Sequence, residues 1–327
     1  MRILLTGDHR YPATRFPARG VGRASARVLD LLARGLAELG HEVLYALDGG
    51  EEEPFPDGVI AATENDAIDA DIVHHQRLTP YESGDLLGRP WVRTIHSDLL
   101  ATGHDRARLA ISENWIYVSR ALAKTFGADR WVHNGIDPAE LMYSETKGDD
   151  LLFVGALDRA YEKGLDLALD IADACGRQLI IAGSASTPEG HDRVAALCHG
   201  RNAWFAGEIA GAAKAELFAC ARALLVPSRP PEAFGLTCVE ALFSGTPVIC
   251  SNRGGLPEIV TRDVGFVCRS LEEMIAAAQD IDTVRPDACR ARAMECFHYR
   301  RMAENYVGEY EKTIEAFTPR SAGVSAG

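Results

Sequence analysis

Short apolar runs alternate with longer amphipathic stretches along this chain, in two successive series. The first opens with the β-like run RILLT at 2–6, and a Gly/Pro/Arg-rich loop leads on to Gly22. Residues 23–39 place Val28, Leu29, Leu31, Leu32, Leu36 and Leu39 at helical spacing. Gly40 stands where a helix C′ glycine belongs. A second strand is expected at 42–47. Strand, helix and strand in that order form the unit of a parallel sheet. Further strands are expected at 72–75, 91–95, 115–118 and 131–133, with a short helix running to Phe126 behind an N-cap Ser119. The polar stretch SETKGDD at 144–150 reads as a linker.

The second series begins with LLFVG at 151–155. Strands are expected at 178–182, 204–206, 223–227, 247–251 and 265–267, and helices at 165–175, 214–221 and 238–244. A long amphipathic helix spans 299–316, with Met302, Tyr306, Tyr310 and Ile314 in register. The tail at 318–327 is small and polar, and is expected to be disordered. The fold class is therefore α/β, with two Rossmann-like parallel-sheet domains. Length agrees, since one hydrophobic core stops growing near ~250–300 residues and this chain has 327. The expected division is 1–146 and 147–298. In open α/β sheets ligands bind beyond the carboxyl ends of the strands, so two sheets facing across a cleft make a site for two substrates.

Composition narrows the choice of partner. The formal charge is 34 − 47 = −13. Such a chain is not expected to coat nucleic acid or an anionic membrane. No CxxC pair occurs among Cys175, Cys198, Cys220, Cys238, Cys250, Cys268, Cys289 and Cys296, and no histidine spacing completes a zinc pattern. They read as free thiols of a reducing compartment. The apolar run at the N-terminus is too short for a signal peptide. No stretch reaches the ~18–20 apolar residues of a membrane span. The expected location is the cytoplasm.

The most informative stretch is PSRPPEAFGLTCVEALFSGTPVICSNRGGLPEIV at 227–260. Glu232 and Glu240 stand eight apart, and Thr237-x-x-Glu240 has the capping-box form, so a helix is expected to start near Cys238. Glu232 then lies in the loop before it. Free amides at that helix N-terminus suit phosphate, and a carboxylate beside them accepts hydrogen bonds from vicinal hydroxyls. Together these are the needs of a sugar nucleotide. Glu240 as a capping partner and Glu232 as a solvated loop residue are the alternatives. Gly20-x-Gly22 is a weak dinucleotide signal, because it trails the first strand by some residues rather than following it at once. Neither GxSxG nor HExxH is present.

The string at 227–260 resembles the signature of retaining glycosyltransferase family 4, the E-x7-E family with the GT-B fold. So do FVGALDRAYEKGLDLALDIA at 153–172, LIIAGSA at 179–185, FAGEI at 205–209 and ACARALLVPS at 219–228. In the first half the resemblance continues through residues 19–43, TIHSD at 94–98 and the segment 117–137. It implies that Glu240 binds the donor ribose hydroxyls and Glu232 the hydroxyls of the transferred sugar. Phe234, Gly235 and Leu236 would meet the sugar and distal phosphate. Lys163 would neutralise the leaving diphosphate, which Gly20 and Gly22 would let the first-domain loop approach. His96 would sit over the sugar, Gly207, Glu208 and Ile209 would face the base, and the helix at 299–316 would pack back on the first domain.

The family often has an arginine where this chain has Ala156, and Arg159 is expected to take over that cationic role. Arg10, Arg15 and Arg19 are candidates for holding an anionic acceptor. Arg23, Arg27 and Arg34 form a helical stripe that reads as a solvated face. The resemblance implies retention of configuration by a front-face route, with no bound metal and no cofactor besides the nucleotide-diphosphate sugar. The expected acceptor is a small molecule or glycan precursor. A GT-B-fold sugar-nucleotide epimerase and a non-catalytic nucleotide-sugar binding protein remain as alternatives.

Overall fold

The computed structural model describes residues 1–7, 24–46, 55, 57–76, 88–185 and 187–317. Its strands form two six-stranded sheets, parallel throughout. The first contains β1 (Arg2–Thr6), β2 (Glu42–Ala46), β3 (Val59–Ala62), β4 (Ile72–His75), β5 (Trp91–Ile95) and β6 (Trp115–Tyr117), in the order β3-β2-β1-β4-β5-β6. The second contains β7 (Leu151–Val154), β8 (Leu179–Ala182), β9 (Ala203–Gly207), β10 (Ala223–Val226), β11 (Val248–Ser251) and β12 (Gly265–Cys268), in the order β9-β8-β7-β10-β11-β12. The two orders are the same doubly wound pattern, with β7 in the place of β1. Each reverses direction beside its first strand, between β1 and β4 in one sheet and between β7 and β10 in the other.

The helices are α1 (Ala24–Glu38), α2 (Arg120–Phe126), α3 (Ala160–Lys163), α4 (Leu165–Cys175), α5 (Pro188–Cys198), α6 (Gly211–Cys220), α7 (Leu236–Phe243), α8 (Leu256–Ile259), α9 (Leu271–Gln279), α10 (Pro286–Cys296) and α11 (Tyr299–Ala316). Central strands such as β1 and β4 are buried along nearly their whole length. That burial makes a parallel strand a continuous apolar run in the sequence. Seven elements depart from expectation. Trp131 makes only a single bridge to Tyr117. β3, α3, α5, α8, α9 and α10 were not anticipated. All eight cysteines are free thiols. The expected disordered tail at 318–327 lies outside the described residues.

The last helix returns to the first sheet. α11 packs on α1, where a Cβ on Gly35 would come within 2.8 Å of Ala303 Cβ. A buried polar network ties it down. His74 Nδ1 meets Tyr310 Oη at 2.6 Å, His74 Nε2 meets Thr94 Oγ1 at 2.7 Å, and Thr94 Oγ1 meets Tyr306 Oη at 2.7 Å. Burial pushes the His74 imidazole down to about 3, so it is neutral and can donate at one nitrogen and accept at the other. Tyr310→Phe would leave one buried imidazole nitrogen unpaired. It is expected to destabilise the protein by about 1–3 kcal/mol in denaturant unfolding. An unchanged midpoint would show that this bond contributes nothing.

The chain leaves and re-enters the first half at one place. Ile136 N–H donates to Phe297 O at 2.9 Å, and Tyr299 N–H donates to Ile136 O at 3.1 Å. Gly135 permits this approach, since a Cβ there would lie 2.6 Å from Tyr299 Cα. Beneath it one apolar cluster runs from the second sheet through Phe234 and Phe297 to Trp115, Tyr117 and Phe126.

Candidate functional site

Lys163 and Glu232 meet at the reversal point of the second sheet. Lys163 ends α3, in the loop that follows β7, and Glu232 lies in the loop that follows β10. Lys163 Nζ donates to Glu232 Oε1 at 2.7 Å. Two glycines make the pairing possible. Gly164 adopts φ +78°, and a Cβ there would fall 2.2 Å from Pro227 O. The Lys-Gly turn therefore rides directly on the end of β10. Gly254, at φ +61°, supports the other side, where a Cβ would stand 2.1 Å from Glu232 O. Glu232 and Gly254 form a parallel bridge, and Gly255 N–H donates to Glu232 O at 2.8 Å.

The loop is also held from the first half. Ser119 caps α2, accepting from Leu122 N–H at 3.1 Å, and its hydroxyl donates to Ala233 O at 2.6 Å. Glu258, from the RGGLPEIV segment, accepts from the amides of Arg120 and Ala121 and from His133 Nε2. Burial opposes its charge, but those donors hold its carboxyl below the usual range. Phe234 is buried, with its ring 6.0 Å from Phe297 and 5.5 Å from His133.

α7 begins at Leu236, with Gly235 as N-cap at φ +123°. It starts two residues before the expected Cys238, with Gly235 rather than Thr237 as its cap. Among the described residues, no hydrogen bond engages the amides of Leu236 and Thr237. They remain open to an anion.

Glu240 is not a capping partner. Its Oε1 accepts from Arg27 Nη1 at 2.6 Å and from Lys214 Nζ at 2.7 Å. Burial raises the cost of its charge, but Lys214 and Arg27 outweigh that and hold its pKa below the ordinary carboxylate value. Arg27 also reaches Glu140 Oε2 at 2.5 Å. The reading of the α1 stripe as a solvated face is therefore wrong. Arg27 is inserted between Glu240 and Glu140, and Arg34 donates to Asp137 and Glu38 while lying over the Tyr299 ring. Helical spacing showed one face but not that this face meets the other half of the chain. Arg23 lies outside the described residues.

The remaining candidates divide. Gly207 ends β9 at φ +73° and accepts from Gly183 N–H at 2.9 Å. Gly183 in turn permits contact with Gly155, since a Cβ there would lie 1.9 Å from Gly155 O. Glu208 and Ile209 lead from that glycine edge into α6, which carries Lys214 toward Glu240. His96 follows β5, and its Nε2 is buried without a partner. Burial pushes its pKa down to about 4, so it is neutral near pH 7. Arg159 is exposed and paired with Glu162, and it is not brought onto the Lys163–Glu232 pair. Gly20, Gly22, Arg10, Arg15 and Arg19 lie outside the described residues. Sequence reasoning missed Arg27 and Lys214. Both reach Glu240 from distant elements, and no local pattern marks them.

Among the described residues no group of three or more His, Cys, Asp or Glu side chains is placed to hold a metal. No described helix is long and apolar enough to cross a membrane.

Residues 148–282 match the family model of the glycosyl transferases group 1. An uncharacterized glycosyltransferase of Methanocaldococcus jannaschii is 29% identical over 48% of this chain and 44% of its own length. A GDP-mannose-dependent alpha-(1-6)-phosphatidylinositol dimannoside mannosyltransferase of Mycobacterium tuberculosis is 32% identical over 45% of this chain and 39% of its own. The matches thus span less than half the length of these relatives. Among solved structures, AviGT4, a glycosyltransferase involved in avilamycin A biosynthesis, superposes with a TM-score of 0.78 at 26% identity, covering 98% of this chain and all of its own. Anabaena HepE, in complex with UDP and glucose, superposes with a TM-score of 0.72 at 18% identity, over 95% of this chain and all of its own, and shows the fold alone. The fold is GT-B, as the sequence resemblance implied.

Proposed function

We propose that this protein transfers a sugar from a nucleotide-diphosphate sugar to a hydroxyl of a small-molecule acceptor, with retention of configuration. The observation that carries this reading is the Lys163–Glu232 pair at the reversal point of the second sheet, eight residues before a buried and ionised Glu240. In an open α/β sheet that point is where a ligand binds. The match to glycosyl transferases group 1 over 148–282 and the AviGT4 likeness support the same donor class.

Each residue then has a task. Glu240 accepts the ribose hydroxyls and Glu232 those of the transferred sugar. The open amides of Leu236 and Thr237 meet the distal phosphate. Lys163 neutralises charge as the diphosphate departs, the electrostatic term that matters most in such a step. Glu208 and Ile209 border the base. Neutral His96 supplies a hydrogen bond to the sugar from the first sheet, whose strand ends take the acceptor. The acceptor oxygen attacks the anomeric carbon on the face from which the diphosphate leaves. The bond to the diphosphate breaks, and its oxygen receives the acceptor proton. The protein positions and stabilises charge and supplies no nucleophile.

The test is a thermal-shift panel of UDP-, GDP-, ADP- and dTDP-glucose, followed by calorimetry with the matching nucleoside diphosphate. Glu240→Ala is expected to weaken that diphosphate about 10- to 100-fold, as ~1.5–3 kcal/mol per charged hydrogen bond implies. Unchanged affinity would remove Glu240 from the donor site. No stabilisation of the wild-type protein by any of the four would overturn the donor class.

A further inference from the structure

We propose that Arg229 is a positioning residue for Lys163, clamping the turn that carries the lysine to the loop that carries Glu232. The inference rests on the donor-site reading above and adds a residue to it.

Arg229 lies three residues before Glu232. Its backbone N–H donates to Glu162 O at 2.8 Å. Its guanidinium reaches over the turn. Nη1 donates to Asp166 Oδ1 at 2.8 Å and Nη2 to Asp166 Oδ2 at 2.7 Å, a two-pronged pair. Nη1 also donates to Tyr161 O, and the guanidinium carbon lies 4.0 Å from the centroid of the Tyr161 ring. Tyr161 and Glu162 precede Lys163, and Asp166 follows it. One side chain and one amide thus hold the turn on both sides of the lysine. Gly164 lies against Pro227 O, so the same turn is also in contact with the end of β10.

Lys163 needs such a clamp. Its ammonium is a point charge on a flexible four-carbon stem, so backbone placement decides where the charge sits. α3 has four residues, too few to hold their own position. Arg229 does not itself serve as the phosphate cation. Its fork is engaged by Asp166 and Tyr161, and its charge is compensated where it lies. Arg159, paired with Glu162 on the surface, makes no comparable link to the Glu232 loop.

The experiment is a double-mutant cycle on the intact protein. It uses whichever of UDP-, GDP-, ADP- or dTDP-glucose the wild type turns over fastest. Arg229→Ala is expected to lower kcat about 10- to 100-fold, the scale of a misplacement near 1 Å, with the donor KM changed less than about threefold. In a Lys163→Ala background the same substitution should lower kcat by less than about twofold, because the group it positions is gone. Arg229→Lys is not expected to restore activity, since an ammonium cannot replace the fork. Asp166→Asn gives an independent route and should lower kcat in the same direction. Independent losses in the double mutant, an effect confined to KM, or unchanged kcat in Asp166→Asn would each overturn the clamp. A Lys163→Ala variant with full activity would instead overturn the donor-site reading itself.

Discussion

Glu232→Ala is expected to lower transfer by about 10²–10⁴-fold while leaving the protein folded. Two losses combine. The hydroxyls of the transferred sugar lose an ionised acceptor, and Lys163 loses the partner 2.7 Å away that fixes its ammonium. Folding should survive, because what holds this loop to its neighbours is the backbone of Glu232. Its carbonyl accepts from Gly255 N–H, and its peptide lies against Gly254. Neither contact uses the side chain, which is partly exposed. The measurement is turnover alongside thermal unfolding. Wild-type turnover in a folded variant would reject the site.

Gly254→Ala should produce a comparable loss from the opposite direction, by moving Glu232 rather than removing it. An alanine at φ +61° costs about 1–2 kcal/mol in backbone energy. The larger difficulty is steric. The new methyl would sit 2.1 Å from Glu232 O and 2.6 Å from Glu232 N, both backbone atoms that cannot swing aside as a side chain can. The loop must shift, and a shift near 1 Å between paired groups costs about 10²-fold in rate. Gly176→Ala is the control. Gly176 also has positive φ, at +66°, but nothing lies within 4 Å of its Cβ position. It should lose a little stability and no activity. If Gly254→Ala behaved the same way, the support of Glu232 by this glycine would be refuted.

The architecture was legible because both sheets are parallel and covered on both faces. RILLT and LLFV announce themselves as buried strands without any partner being known. β3 (VIAA) did not, because it is a short edge strand of which little is buried. α10 (PDACRARAMEC) buries only Cys289 and Ala293, so its sequence carries no apolar stripe. Glu232 and Glu240 stood out through their spacing and the glycine between them. The partners of Glu240 were beyond reach. Arg27 lies 213 residues away and Lys214 26 residues away, and only the folded chain brings both to one oxygen. Thr237 and Glu240 show the limit of a local motif. The capping-box letters are present, yet Gly235 takes the cap and frees Glu240 to face the two cations.

The double passage of the chain beside Ile136 has a mechanical consequence. One covalent tether between two bodies would leave them free to swivel about every axis. Here the outgoing and returning segments are laced together by Ile136, Phe297 and Tyr299, and α11 is anchored beyond them by His74 and Thr94. Two tethers laced side by side resist twisting of one sheet against the other, because any such rotation strains both crossings at once.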